Sequence, residues 1–246
     1  MGRLIMKIFQ NLNFVLVETS HPGNIGACAR AMNSMGICNL SLVNPKEFPS
    51  TESETRAKSG KKVLDQANIH DNLNEAINTS NLVIGTSARS RSMPWPMMEI
   101  NNLGKIINES LARKEKVSIV FGNEAVGLDN EDLGKCDFHL QIPTSEDSSL
   151  NLSHAVQIVA HEIYKGSSSS DLFTQAREVE LASSQQKEKL IEHIELVLEL
   201  LDFYDHQNPK QVPARLRRLI KRMQLDKLEI GILRGILSNL EQRLNK

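Results

Sequence analysis

Short apolar stretches punctuate the first two-thirds of the chain, at residues 14–17, 40–43, 82–85, 117–121 and 139–142. The fourth, VSIVF, is apolar apart from Ser118 and rich in β-branched residues, which suits a strand covered on both faces. Between the strands the apolar period lengthens toward that of a helix. Residues 25–35 read as a helix closed by Gly36. Asp71 is placed to cap a helix running to residue 78, and residues 100–111 are amphipathic. Leu152, Val156, Val159, Ala160 and Ile163 share one helical face. Residues 51–64 are polar and basic, interrupted by Ser59-Gly60, which predicts a broken helix or a mobile loop. Strands alternating with helices define an α/β fold, a mainly parallel sheet with helices on both faces.

The pattern changes after Tyr164. Gly166 and the serines at 167–170 begin a linker, so the chain divides into a domain at 1–165, a linker at 166–185 and a small helical extension at 186–246. In the extension, Leu190, Ile194, Val197, Leu198 and Leu201 make one stripe, and Asn208-Pro209 ends it. Pro213 suits the first turn of a second helix. That helix carries Leu216, Leu219, Ile220 and Met223 on one face and Arg215, Arg217, Arg218, Lys221 and Arg222 on the other, which is expected to meet solvent or a partner. Asp226 and Glu229 form a capping box for a last helix striped by Leu233, Ile236, Leu237, Leu240 and Leu244.

Composition narrows the function. The 246 residues are 40% hydrophobic but only 4% aromatic, so the core is aliphatic. A formal net charge of -1 argues against indiscriminate polyanion binding over the whole surface. Affinity for nucleic acid must therefore come from local concentrations of charge, of which the helix at 213–223 is the densest. Cys28, Cys38 and Cys136 are scattered and read as free thiols in a reducing compartment, with no metal site expected. The N-terminal stretch is too short in apolar run for a signal peptide or a membrane span, so a cytoplasmic protein without a membrane partner is expected. The turn after the first strand is HPGNIG and lacks G-x-G, which disfavours a dinucleotide or classical methyltransferase fold.

More specific are FGNEAVGL at 121–128 and IPTSEDSSLNLSHAVQI at 142–158. Each alone suits an ordinary strand-to-helix joint. Together with Asn24-Ile25-Gly26 followed by Arg30, an N-x-G-x-x-x-R pattern, they resemble the SpoU branch of the SPOUT RNA 2′-O-methyltransferases. Arg30, on a helix starting near residue 25, lies close to the positive end of the helix dipole, a mild misplacement that favours a functional role. LVETSHPGNIGACARAM, GTSARSRSMPWPM and the C-terminal LRGIL bring the resemblance closer, to the TrmJ subfamily. One departure is Asn123, where relatives carry a basic residue.

The resemblance implies a C-terminal trefoil knot at about 117–164 whose loops hold S-adenosyl-L-methionine, and a homodimer in which residues 152–163 meet a second copy. It implies cofactor contacts from Thr86, Ser87, Ala88, Gly122, Ile142, Ser148, Ser149 and Leu150. Arg30, Ser149 and Asn151 would act in catalysis, with Arg30 meeting the target phosphate or the 2′-oxygen. Arg91 would meet RNA or the active site across a subunit boundary, and Arg215, Arg217, Arg218, Lys221 and Arg222 would grip tRNA. The implied reaction is 2′-O-methylation of the pyrimidine ribose at position 32 in the anticodon loop. Methylation of ribosomal RNA or of another tRNA position, and a non-catalytic RNA-binding role on the same fold, are the alternatives. Glu124, the motif carboxylate, fits either direct substrate contact or pairing with backbone amides in its turn.

Overall fold

The computed structural model describes residues 9–87, 97–145, 149–167, 179–204 and 211–244. Its sheet has seven strands: β1 (Leu12–Val17), β2 (Asn39–Val43), β3 (Asn68–His70), β4 (Leu82–Thr86), β5 (Met97–Glu99), β6 (Val117–Phe121) and β7 (Phe138–Gln141). They lie in the order β3-β2-β1-β6-β4-β7-β5, and every pairing is parallel. The central β6 is buried at all five positions, as its composition requires.

Alternation along the strands feeds two cores. Phe14, Leu16, Ile119 and Phe121 face one side, where α1 (Pro22–Ser34), α5 (Ile100–Ala112) and α7 (Leu152–Ser167) cover them. Val15, Val17, Val83 and Val120 face the other, against α4 (Leu73–Ile77) and α6 (Asn130–Gly134). The two shortest strands, β3 and β5, have three residues each and were not visible in the pattern.

Several boundaries differ from the sequence reading. α1 begins three residues early because Pro22 takes its first turn, where a missing N–H costs nothing. The cap of α4 is Asn72, whose side chain accepts from Glu75 N at 3.0 Å, not Asp71. Residues 51–65 are a broken helix, α2 (Thr51–Ala57) and α3 (Lys61–Asp65) joined by a 3-10 turn, packed on α1. Gly166 belongs to α7 rather than to a linker. A Cβ there would lie 2.7 Å from Gly104 Cα, so the two glycines let α7 and α5 touch backbone to backbone.

The tail is α8 (Ser184–Leu200), α9 (Val212–Arg222) and α10 (Lys227–Leu244), joined around Leu190, Ile191, Ile220, Leu225 and Ile230. The expected capping box of α10 is formed: Asp226 N donates to Glu229 and Glu229 N to Asp226. Although residues 166–185 read as a linker, the bundle that follows is docked on the sheet domain. Ser184 N donates to Ser80 O at 2.7 Å, and Asn81 Nδ2 to Leu181 O at 2.7 Å. Lys187 Nζ reaches Asp137 at 2.8 Å, with both side chains 1% exposed, and also donates to Asn81 O.

Candidate active site

The carboxyl ends of β1, β4, β6 and β7 open on the same side, the place where parallel sheets of this type hold ligands. β6 runs into Gly122, where an added Cβ would sit 2.1 Å from both Gly127 C and Leu128 N. Only glycine allows the turn at 122–128 to fold back so tightly. Gly127, at φ +71, closes that turn with its N–H on Asn123 O. Asn123 donates its side-chain amide to Glu18 O at 2.7 Å, tying the turn to the end of β1.

Glu124 is the hub. Its carboxylate accepts from Ser20 N (3.0 Å), Ser20 Oγ (2.8 Å), Asn24 Nδ2 (2.8 Å) and His21 N (3.4 Å). Burial works to raise its pKa, but the hydrogen bonds from Asn24, Ser20 and its own turn outweigh it and hold the carboxyl down at about 2. Of the two roles open to it from sequence, pairing with the turn is the one the geometry supports. Asn24 also accepts from Asn151 Nδ2 at 3.2 Å, and Asn151 Oδ1 accepts from Ser153 N and Oγ at 2.9 and 2.8 Å. One chain of hydrogen bonds thus joins three motif segments more than a hundred residues apart at their extremes.

Beside this chain lies a cleft of about 160 Å³. Thr86, Ser87, Gly122, Ile142, Ser149 and Leu150, six of the expected cofactor residues, line it together with Leu140, Thr144, Leu152 and Ala155. Thr86 Oγ1 donates to Val120 O, and Ser87 N to Leu140 O, which pins the end of β4 between its neighbours. Ala88, Arg91 and Ser148 lie outside the described residues. Sequence reading missed Ser20 and Thr144. Ser20 had a signal, since it directly precedes HPGNIG at the end of a strand. Burial, and then the charge of Glu124, pushes the Cys28 thiol up. Burial does the same to Cys136, so neither is a nucleophile. Among the described residues no cluster of His, Cys, Asp or Glu could hold a metal ion, and no helix is long and apolar enough to cross a membrane.

Arg30 does not line the cleft. It is exposed on α1, and its guanidinium has no partner among the described residues. With α1 starting at Pro22, Arg30 lies in the C-terminal half of the helix, so the argument from an unfavourable dipole does not hold. The basic face of α9 is also corrected. Lys221 is 0% exposed, paired with Glu188 at 2.9 Å and donating to Lys135 O at 3.0 Å. Arg217 pairs with the same Glu188. Burial opposes ionisation of Glu188, but Lys221 and Arg217 overcome it and lower its pKa. Arg215 and Arg222 are exposed and Arg218 is half-buried.

Comparison with known proteins assigns the class. A family model described as "SpoU rRNA Methylase family" matches residues 11–161, and one described as "tRNA methyltransferase TrmJ, C-terminal domain" matches residues 185–246. The chain belongs to the SpoU methylase family. Within it, the similar relatives include the tRNA (cytidine/uridine-2'-O-)-methyltransferase TrmJ of Photorhabdus laumondii, 43% identical over 97% of this chain and 100% of that one. The Sodalis glossinidius TrmJ is 42% identical over 95% and 92%. The crystal structure of TrmJ from Z. mobilis ZM4 superposes with a TM-score of 0.81 at 30% identity, covering 93% of this chain and 98% of that one.

Proposed function

We infer that this protein transfers a methyl group from S-adenosylmethionine to the ribose 2′-hydroxyl of a pyrimidine in tRNA, at position 32 of the anticodon loop. The observation that carries the reading is the cleft, where residues from three distant motif segments meet at the carboxyl ends of the strands. The match of the tail to the TrmJ C-terminal model, with the names of the full-length relatives, favours tRNA over ribosomal RNA as substrate.

The cleft suits the cofactor. Leu140, Ile142, Leu150 and Leu152 offer apolar walls for an adenine, and the backbone at 122–127 offers polar groups without a side chain at Gly122. When bound, the sulfonium supplies an electrophilic methyl carbon, so the protein's task is alignment. Asn151, held by Asn24 and Ser153, fixes the loop that carries Ser149 and Leu150. Arg30, uncommitted and exposed, binds the phosphate beside the target ribose and stabilises charge developing on the 2′-oxygen. A guanidinium holds its proton at neutral pH, so a phosphate oxygen or a water takes the hydroxyl proton.

Arg56, Lys58 and Lys62, on the broken helix packed against α1, are exposed. They extend a cationic surface from Arg30, while Arg215, Arg218 and Arg222 offer a second set of cations from the tail, which packs against the helices on the other face of the sheet; Arg91 is the remaining RNA contact that the family resemblance implies. Arg217 and Lys221 instead hold the tail in place. The enzyme acts in the cytoplasm as a homodimer built on the α7 region, as in the family it resembles. The apolar stripe of α7 is spent on α1 and α5 within the chain, so Ile158, half-buried and outside that core, is the apolar α7 residue offered to the partner. Mass spectrometry of nuclease-digested tRNA from cells lacking the protein tests the reading. Loss of a 2′-O-methylated pyrimidine from the anticodon-loop fragment is expected, and unchanged methylation would refute it.

A further inference from the structure

α1 and the broken helix beside it meet backbone to backbone. A Cβ at Gly26 would lie 2.1 Å from Ser53 O and 2.9 Å from Arg56 Cβ. One at Gly60 would lie 2.5 Å from Ala29 O and 2.6 Å from Arg30 N. Glycine is required at both contacts, because any side chain would push the helices apart. The contacts stand one turn of α1 apart, about 5.4 Å. They fix α2 and the 3-10 turn Lys58–Gly60 in register with α1.

That register places two arginines. Arg56 sits at the Gly26 contact and Arg30 at the Gly60 contact. α1 begins at the cleft, where Asn24 joins Glu124 and Asn151, so the base of Arg56 stands beside the turn of α1 nearer the cleft. Both arginines are exposed, and neither has a hydrogen-bond or ion-pair partner among the described residues. The acids of α2 are turned elsewhere. Glu54 pairs with Lys61 at 3.1 Å, and a Cβ at Gly23, at the start of α1, would lie 2.5 Å from Glu52 Oε1. Two like charges held a turn apart without a counter-ion favour an anion charged at a similar interval, as successive phosphates of one strand are. Between them the backbone of Lys58 is held at φ 46 and ψ -112, outside the left-handed helical well and unfavourable for any residue with a side chain. Strain of this kind gathers where the shape of a loop serves a ligand. On the reading that the target ribose enters the cleft and Arg30 meets its phosphate, we propose that Arg56 is a second phosphate-binding residue. It takes the neighbouring phosphate of the same strand, and the two guanidiniums set the register of the RNA over the cleft. Arg56 touches the substrate away from the reacting atoms, so its contribution falls on binding rather than on the chemical step.

The test uses the full chain and an unmodified tRNA carrying single methylphosphonates, each of which removes one phosphate charge, placed one at a time through the anticodon loop. Binding is read by fluorescence anisotropy. Arg56→Ala should weaken tRNA binding about tenfold while leaving S-adenosylmethionine affinity and the melting temperature as in the parent. It should raise KM for tRNA and lower kcat far less than Arg30→Ala does. Arg56→Lys should recover most of the loss. Lys61→Ala, which removes a charge already matched by Glu54, should change little. Neutralising a contacted phosphate should weaken binding to the parent protein. Arg56→Ala should be insensitive at one such phosphate, and Arg30→Ala at its neighbour. Insensitivity at no phosphate in Arg56→Ala, or at the same phosphate in both variants, would overturn the proposal. This coupling without any methyl transfer would leave the paired arginines standing and sink the reading of the site. Methyl transfer to the expected ribose without the coupling would sink the paired arginines alone.

Discussion

Glu124 was legible as a motif residue, but its role was not, because a carboxylate's partners are set by which loops the fold brings together. Held at about 2 against an ordinary 4.5, its ionised form favours the folded state. That stabilisation is complete above about pH 4.5 and is lost as pH falls through 2. Glu124→Gln should lower the melting temperature near neutral pH and flatten its fall in acid, as read by calorimetry across that window. Parallel curves for the two proteins would show that the carboxylate does not anchor the turn. At Gly122 the sequence suggested a backbone approaching a ligand; the structure shows it approaching its own turn at Gly127 and Leu128. Gly122→Ala should therefore abolish cofactor binding by rebuilding the turn, measured by calorimetry with S-adenosylmethionine. Arg30→Ala should slow methyl transfer by about 100-fold or more while leaving cofactor affinity within about twofold. Comparable loss of cofactor binding in both variants would remove the distinction between them.

At the scale of elements, strands of four or more residues announced themselves by apolar runs, and the longer helices by their stripes, whereas the five-residue α6 was not read at all. What stayed hidden was short or depended on a distant partner. β3 and β5 are too brief to show a period, and the burial of Lys221 follows from Glu188 on another helix. The absence of acids around α9 in sequence was no guide, since the neutralising acid came from α8. The docking of α8 rests on Lys187 and Asp137, both buried, with Asp137 also accepting from Val83 N. Removing one member of such a pair leaves a stranded charge and costs about 3–5 kcal/mol. Lys187→Met should destabilise the protein by about that amount and expose the Ser184 amide to hydrogen exchange. The double variant Lys187→Met, Asp137→Asn should be the milder of the two. A single variant as stable as the parent would show that the docked tail does not depend on the pair.

For the whole molecule, the fold class followed from alternation of strand and helix, but the activity did not; it came from the resemblance of a few loops, now placed around one cleft. The tail is not a free arm. It is fixed to the sheet domain through Ser184, Lys187 and Lys221, so its exposed arginines stand at a set position relative to the cleft. That arrangement suits a substrate read at one distance from its reacting ribose, as a folded tRNA is. The most direct measurement gives purified protein S-adenosylmethionine and two unmodified tRNA transcripts, identical except for a 2′-deoxy sugar at position 32, and analyses the digests by mass spectrometry. The all-ribose transcript should gain one methyl group on the ribose of that pyrimidine and the deoxy transcript none. Equal methylation of both, or a methyl found on a base, would contradict the account.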